Sequence, residues 1–559
     1  RHLMSCVRSL VAVFVSLIAA AALCGCGASS GASSSSSASA GKGSASSVEF
    51  KYSGNVKHSD VALGERSRDS FDQVAYEVDL NEFESLIESN AADADKLNQA
   101  YDRLERHMAN LVSDAALLKF DWSLNVSDLN AANRYGAKLD LYNKELARCT
   151  DLFTRALDSK QGDGFRVHIG EAFASQLDGS HGGTAESLAL RQKSNELAIR
   201  YEQMVASGAK QLDLESLYVD LVNTNNALAR SCGYDNYAEL AYEQRCGRDF
   251  SVSDIEVIRK VVVSDFVPIY MSYMADSVDM DLVDKVFDQN DDPADVKLEN
   301  LGKCLAAVSP AFGESFEYLQ RNGLFDIGMS GRKTVSSSGF VLECPSYNDG
   351  ILFVSPNGET TDYLSVVHEL GHFNHMYRVQ ANAFLPNSLP DVQESMSQSL
   401  ELLCCGSYDR LCPGYGKALA QYAVLDKMFM VRDSFAIDEA EYRAYTTSDL
   451  TVEKLHSIWD DVVKKYQMPD DSDSFTTVSQ VYTNPFYYIG YGTSALVAFD
   501  LYVESLTDYD AAVTKYLKMS EVPPETAFRK MLEIAGINDV LDAKAVSGLC
   551  EKLDKALCG

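Results

Sequence analysis

Histidine is scarce in this chain, with 9 in 559 residues. Any histidine cluster is therefore informative. Proline is also scarce, at 12 residues, so few positions break a helix. Basic residues fall well short of acidic ones, 49 against 81, for a net charge of −32. That excess repels phosphate backbones and anionic bilayers, and it excludes nucleic acid as a main partner. No two cysteines have C-x-x-C spacing, which argues against a zinc–thiolate site. Between Phe71 and Arg200 no repeat is visible, and no chemistry-bearing motif either. Long apolar runs are missing except for one, SLVAVFVSLIAAAALCGCG after Arg8. Its core is about 15 residues, short for a membrane span.

That run follows a basic residue and ends in Leu23-Cys24-Gly25-Cys26. It resembles a bacterial lipoprotein signal, in which a cysteine after a small residue is lipidated. The expectation is a signal peptide over 1–25, with a lipid anchor on Cys26 to the outer face of the cell membrane. An uncleaved transmembrane anchor is the alternative, and either places the remainder outside the cytoplasm. Residues 26–48 are almost wholly Ser, Ala and Gly. Such a stretch buries no core and reads as a flexible tether.

What is present is His368-Glu369-Leu370-Gly371-His372. Val366, Val367, Leu370 and Phe373 recur at helical spacing, so Thr361–Gln380 reads as a buried amphipathic helix. His368 and His372 then share a face one turn apart and can hold one zinc ion. Glu369 stands beside the first ligand, placed to take a proton from water. Gly371 costs roughly 1 kcal/mol in an ordinary helix, which signals a close neighbour there. His375 makes three of the nine histidines fall within eight residues.

The rest of the body divides into an N-terminal helical lobe, 49–205, and a region carrying the motifs, 206–559. Asn81–Ser89, Asp93–Leu117 and Ala131–Leu157 show apolar residues three and four apart, as helices do. Ten cysteines follow Cys26, and an even number in an exported chain permits disulfides. Cys550 with Cys558, and Cys404 or Cys405 with Cys412, are the pairs close in sequence. Buried thiols are the other reading.

Between Leu212 and Tyr270 two helices are joined by Gly233-Tyr234-Asp235-Asn236-Tyr237, and Arg248-Asp249 precedes a further helix capped by Ser251 or Ser253. Farther on, Phe340–Leu342 and Ile351–Val354 are short β-rich runs, and Pro356-Asn357-Gly358 turns the chain into the histidine helix. This order resembles the catalytic region of the oligoendopeptidase F and thimet oligopeptidase family of zinc peptidases.

After Pro390, Glu394, Ser397, Gln398 and Glu401 lie on one face of a helix. From the residues alone, Glu394 is either a metal ligand or an acid of the first helical turn. The family carries its third zinc ligand in a Glu-x-x-Ser-Gln-x-x-Glu pattern, which implies Glu394 as ligand and Glu401 as a supporting acid. The family also has a Tyr-rich segment that stabilises the oxyanion, and Tyr488-Ile489-Gly490-Tyr491 resembles its Tyr-x-Gly-Tyr. The resemblance thus implies Tyr488 and Tyr491 as catalytic, with Tyr487 as a neighbouring substrate contact and a near alternative for the same role, because the register differs between branches of the family. One feature departs. The family's histidine ahead of these tyrosines is absent, and Ser479-Gln480-Val481 stands in that stretch.

The resemblance spans roughly Leu212 to Leu517. It implies a mainly α-helical metallopeptidase with a small β-sheet beside the zinc helix and a deep substrate channel. One zinc per chain, on His368, His372 and Glu394, would cleave short unstructured peptides, with Glu369 as general base. The angiotensin-converting-enzyme-like family also uses H-E-x-G-H, but the Glu-x-x-Ser-Gln pattern favours the first. Two further readings stay open: an inactive relative kept as a scaffold, and a peptide-binding lipoprotein feeding a transporter.

Overall fold

A computed structural model describes residues 56–89, 94–178, 185–290, 292, 294–328, 339–385 and 389–559. Residues 1–55, which include the apolar run, Cys26 and the tether, lie outside the described residues.

Helix α1 (Gln73–Glu88) starts where the Asp72 carboxylate accepts from the backbone N–H groups of Val74 and Ala75, both at 3.0 Å. That satisfies donors a helix start leaves orphaned. Helices α2 (Ala94–Leu124) and α3 (Leu129–Leu157) follow, and α2 packs against both α1 and α3. Their shared core is built on Tyr76, Phe83, Tyr101, Leu104 and Phe153. Ala383 and Phe384 join this core from a loop far along the chain, so the lobe is packed onto the motif-bearing region.

Helix α4 (Ala185–Ala206) packs on α5 (Gln211–Ser231). Its Tyr201 belongs to the second, larger core and stacks on Tyr482 with ring centroids 4.0 Å apart. The two cores therefore meet between Leu177 and Tyr201. Ser251 forms a capping box with Asp254 at the start of helix Val252–Val261, which settles which serine caps it.

The sheet has three strands, β1 (Phe325–Asp326), β2 (Gly339–Cys344) and β3 (Asp349–Val354), in the order β1-β3-β2. β2 runs antiparallel to β3 with Phe340 opposite Phe353 and Leu342 opposite Ile351. β3 is buried throughout. β2 pairs on one side only among the described residues.

Four helices form the wall behind the motifs: α6 (Asp362–Arg378), α7 (Pro390–Leu403), α8 (Gly416–Thr446) and α9 (Ile489–Ser505). α7 packs against α6 and α9, and α9 against α8. The start of α6 is fixed by Asp362, whose carboxylate accepts from the backbone N–H groups of Asn357, Gly358 and Glu359 at 2.8, 2.8 and 3.1 Å. Gly358 takes φ +88°, a left-handed turn conformation that glycine adopts without strain. Pro390 opens α7, where its missing N–H costs nothing.

Of the two readings of the cysteines, the structure has the thiols: all ten described cysteines are free. Cys550 lies inside helix Ala543–Leu557 and Cys558 just past its end. Eight helical residues span about 12 Å, well beyond disulfide reach. Cys405 and Cys412 instead point at the Glu401 and Tyr408 carbonyls, 3.8 and 3.4 Å away.

Candidate metal and catalytic site

α6 and α7 cross closely because Gly371 has no side chain. A Cβ at Gly371 would lie 2.5 Å from the Ser397 Cα and 2.7 Å from the Met396 carbonyl oxygen. The glycine expected to mark a close neighbour therefore marks the backbone of the next helix. This crossing brings Glu394 up to the two histidines. One ligand atom from each of His368, His372 and Glu394 lies within 4.8 Å of the others, and the group could hold a metal ion. The His368 Nε2 is 3.5 Å from the Glu394 Oε2, and the two imidazole centroids are 5.1 Å apart.

The other His368 nitrogen, Nδ1, is 2.7 Å from the Glu401 Oε1. The second Glu401 oxygen receives the Lys427 ammonium at 2.8 Å, and Lys427 also reaches Asp426 at 2.7 Å. Among the described residues His372 makes no such hydrogen bond. His375, the third histidine of the cluster, faces elsewhere: its Nε2 is 3.0 Å from the Val522 carbonyl.

The electrostatics are those of a site that draws a cation. Burial alone would push the His368 imidazole down, but Glu394 and Glu401 outweigh it and hold the ring at about 10. His372 is pushed down to about 4 by burial and so stays neutral, as a ligand must be. Burial works against ionisation of Glu394 and Glu401, yet the neighbouring cations hold both below the usual range. Glu369 is raised to about 8 because burial outweighs the opposing charge of His368. Two imidazoles and one carboxylate fit a catalytic zinc site, which uses three protein ligands and an open fourth position.

The first residue of β2 lies against Glu369. A Cβ at Gly339 would come within 3.2 Å of the Glu369 Oε1. The β2 edge, unpaired among the described residues, thus begins beside the carboxylate next to the histidines.

The tyrosine segment closes the opposite side. Tyr487 donates to the Glu394 Oε1 at 3.4 Å, and its ring centroid is 5.6 Å from that of Tyr491. Burial raises the hydroxyl pKa of both, with the Glu394 charge adding to it. Tyr488, the residue just before α9, is acted on by the charges of Asp433 and Asp426 of α8, not by Glu394. Tyr487 precedes α9 and Tyr491 lies in its first turn, and both feel the Glu394 charge.

Besides the backbone of Phe486, three residues important to this geometry carry no local signal. Arg248 donates to Asp391 at 2.9 Å and to the Phe486 carbonyl at 2.9 Å, tying the start of α7 to the tyrosine segment. Phe486 is held at φ +65°, strained for a bulky residue, with its N–H on the Glu441 Oε1 at 3.2 Å. Gln480, from the stretch where a histidine is expected, is buried beside Tyr491 and favours its ionised form, against burial and Glu394. Lys427 is the third.

No family model matches the chain, and no curated protein matches it either. Solved structures do. A PZ peptidase A structure with an inhibitor superposes with TM-score 0.75 at 17% identity, covering 89% of this chain and 99% of that one. A protein described as an oligoendopeptidase F gives TM-score 0.75 at 18% identity, with 89% and 99% covered. Another so described, from Bacillus anthracis str. Ames, gives 0.70 at 16%, with 92% and 99% covered. The match extends well beyond the Leu212–Leu517 stretch that resembles the family in sequence. The chain has the helical fold of the oligoendopeptidase F and PZ peptidase structures, over nearly their entire length.

Proposed function

We propose that this protein is a zinc-dependent peptidase acting on short peptides. The observation that carries the reading is the triad His368, His372 and Glu394, with ligand atoms within 4.8 Å of one another, and Glu369 next to it. Bound zinc would supply a Lewis acid that polarises the scissile carbonyl and acidifies water. Glu369 would take the proton from the attacking water and pass it to the leaving amine. Its burial supports this role, because a carboxylate raised toward neutrality is a stronger base. The free edge of β2 would hold an extended peptide by backbone hydrogen bonds, with Gly339 leaving room at Glu369. Tyr487 and Tyr491 would donate to the oxygen that gains charge.

The site lies below the surface, with Glu369 and Glu394 only 2% and 5% exposed. That favours short unstructured peptides over folded proteins. The peptidase titles of the structural neighbours support the reaction class. Export and a lipid anchor on Cys26 remain part of the proposal. Cys26→Ala is expected to move the protein out of the membrane fraction. The decisive test of function is digestion of a peptide library with and without a chelator. Cleavage that the chelator stops and zinc restores is expected; zinc-loaded protein that cleaves nothing points to an inactive scaffold.

A further inference from the structure

The two histidines of the triad are held very differently. His368 is tied through Nδ1 to Glu401 at 2.7 Å, and Glu401 to Lys427 at 2.8 Å. His372, one turn along, has no such partner among the described residues. Lys427 sits inside α8, a different element from either ligand helix. It is 5% exposed and Glu401 is 1% exposed along their side chains. A buried ammonium is expensive unless its partners are fixed. Here they are fixed: Asp426 and Glu401 take one contact each. The Glu401 backbone is also pinned, because the Tyr408 hydroxyl donates to its carbonyl at 2.6 Å.

We infer that Lys427 is a positioning residue for the metal, acting through Glu401 on His368. This rests on the zinc reading above. A carboxylate has two oxygens and can rotate to offer either. With Lys427 on Oε2, the carboxylate has one orientation left, and Oε1 faces the His368 Nδ1. That keeps a proton on Nδ1 and makes Nε2, the nitrogen facing Glu394, the one that would give up its proton to a metal. The tautomer and ring angle of one ligand are therefore set by a cation two contacts away, on a helix that contributes no ligand. His372 lacks this support, so the retention of metal depends on the His368 arm. Partners at this remove typically govern metal affinity by about 10- to 100-fold.

The test is zinc affinity of the full chain by competition with a chromogenic chelator, with no peptide present. Lys427→Met is expected to weaken zinc binding about 10- to 100-fold. In a Glu401→Gln background the same change should matter less than about threefold, because the path it acts through is gone. If Lys427→Met folds poorly by circular dichroism, Lys427→Gln keeps a donor without the charge, and should still weaken binding at least about threefold. Folded variants that bind zinc as tightly as wild type overturn the inference. So does an equal loss with and without Glu401, since Lys427 would then act by another route. A wild type that takes up no zinc overturns the metal reading itself, and this inference with it.

Discussion

Helices α2 and α7 bury opposite kinds of side chain. α2 buries Leu97, Tyr101, Leu104, Met108 and Leu111 along one stripe of its first half, and every residue from Ser113 to Leu118 in its second half. Its buried Asp114 serves a local end, accepting from Ser70 and Phe71 to hold the entry to α1. α7 buries Asp391, Glu394, Ser397, Gln398 and Glu401. Burying such groups costs free energy unless each is paired. Each has a partner on another element or within the helix: Arg248, His368, Tyr487, the Tyr491 carbonyl or Lys427. The apolar stripe makes a lobe; the buried polar stripe makes a site. Where a helix gives up amphipathic economy, chemistry is the reason.

The largest effect that sharpens this contrast is at Glu369. Glu369→Gln keeps shape and should keep zinc, while peptide turnover falls about 10²- to 10⁴-fold. A stopped assay with a quenched peptide, alongside zinc analysis, checks both halves. The tyrosines come next. Tyr487→Phe or Tyr491→Phe should cost about 10²- to 10³-fold in kcat with little change in KM. Tyr488→Phe should cost far less, since its neighbours are Asp433 and Asp426. Equal losses at all three positions would contradict that placement.

Two glycines set the regions against each other directly. Gly371→Ala forces a Cβ onto the α7 backbone and should destabilise by about 1–3 kcal/mol. Gly136→Ala in α3 meets nothing within 4 Å and should stabilise by about 0.5–1 kcal/mol. Denaturant unfolding of both variants reads the opposite signs.

The last contrast is a pH dependence. Glu343 on β2 is raised by burial from 4.5 to about 8, and its Oε2 has no hydrogen-bond partner. Between those two values the folded state keeps a proton that the unfolded state has lost. Stability therefore falls as pH rises through that window. Glu343→Gln removes this dependence, so its melting temperature should gain on wild type between pH 4 and pH 9. A constant difference across that range would show that Glu343 does not titrate this way.

Much of this site was legible in the sequence because its signals are local. H-E-x-x-H and the Glu394-to-Glu401 face each lie within three helical turns, and period alone puts their members on one side. The sheet and the long helices were legible for the same reason. Lys427 and Arg248 were not, because their partners are distant in sequence: Arg248 and Asp391 are 143 residues apart, and no period links them. The choice between Tyr487 and Tyr488 stayed open for a different reason. Four tyrosines lie within ten residues, and only the path of the chain into α9 at Ile489 puts Tyr487, not Tyr488, within reach of Glu394. The cysteine count permitted disulfides, but distance within the fold rules out the Cys550–Cys558 pair.

The central claim is that α6 and α7 together make one zinc site. Equilibrium zinc binding to wild type, Glu369→Gln and Glu394→Ala tests it most directly. The account predicts one zinc per chain for wild type and for Glu369→Gln, and a sharp loss of affinity for Glu394→Ala. A wild type without zinc, or a Glu394→Ala variant that binds zinc as tightly as wild type, would contradict it.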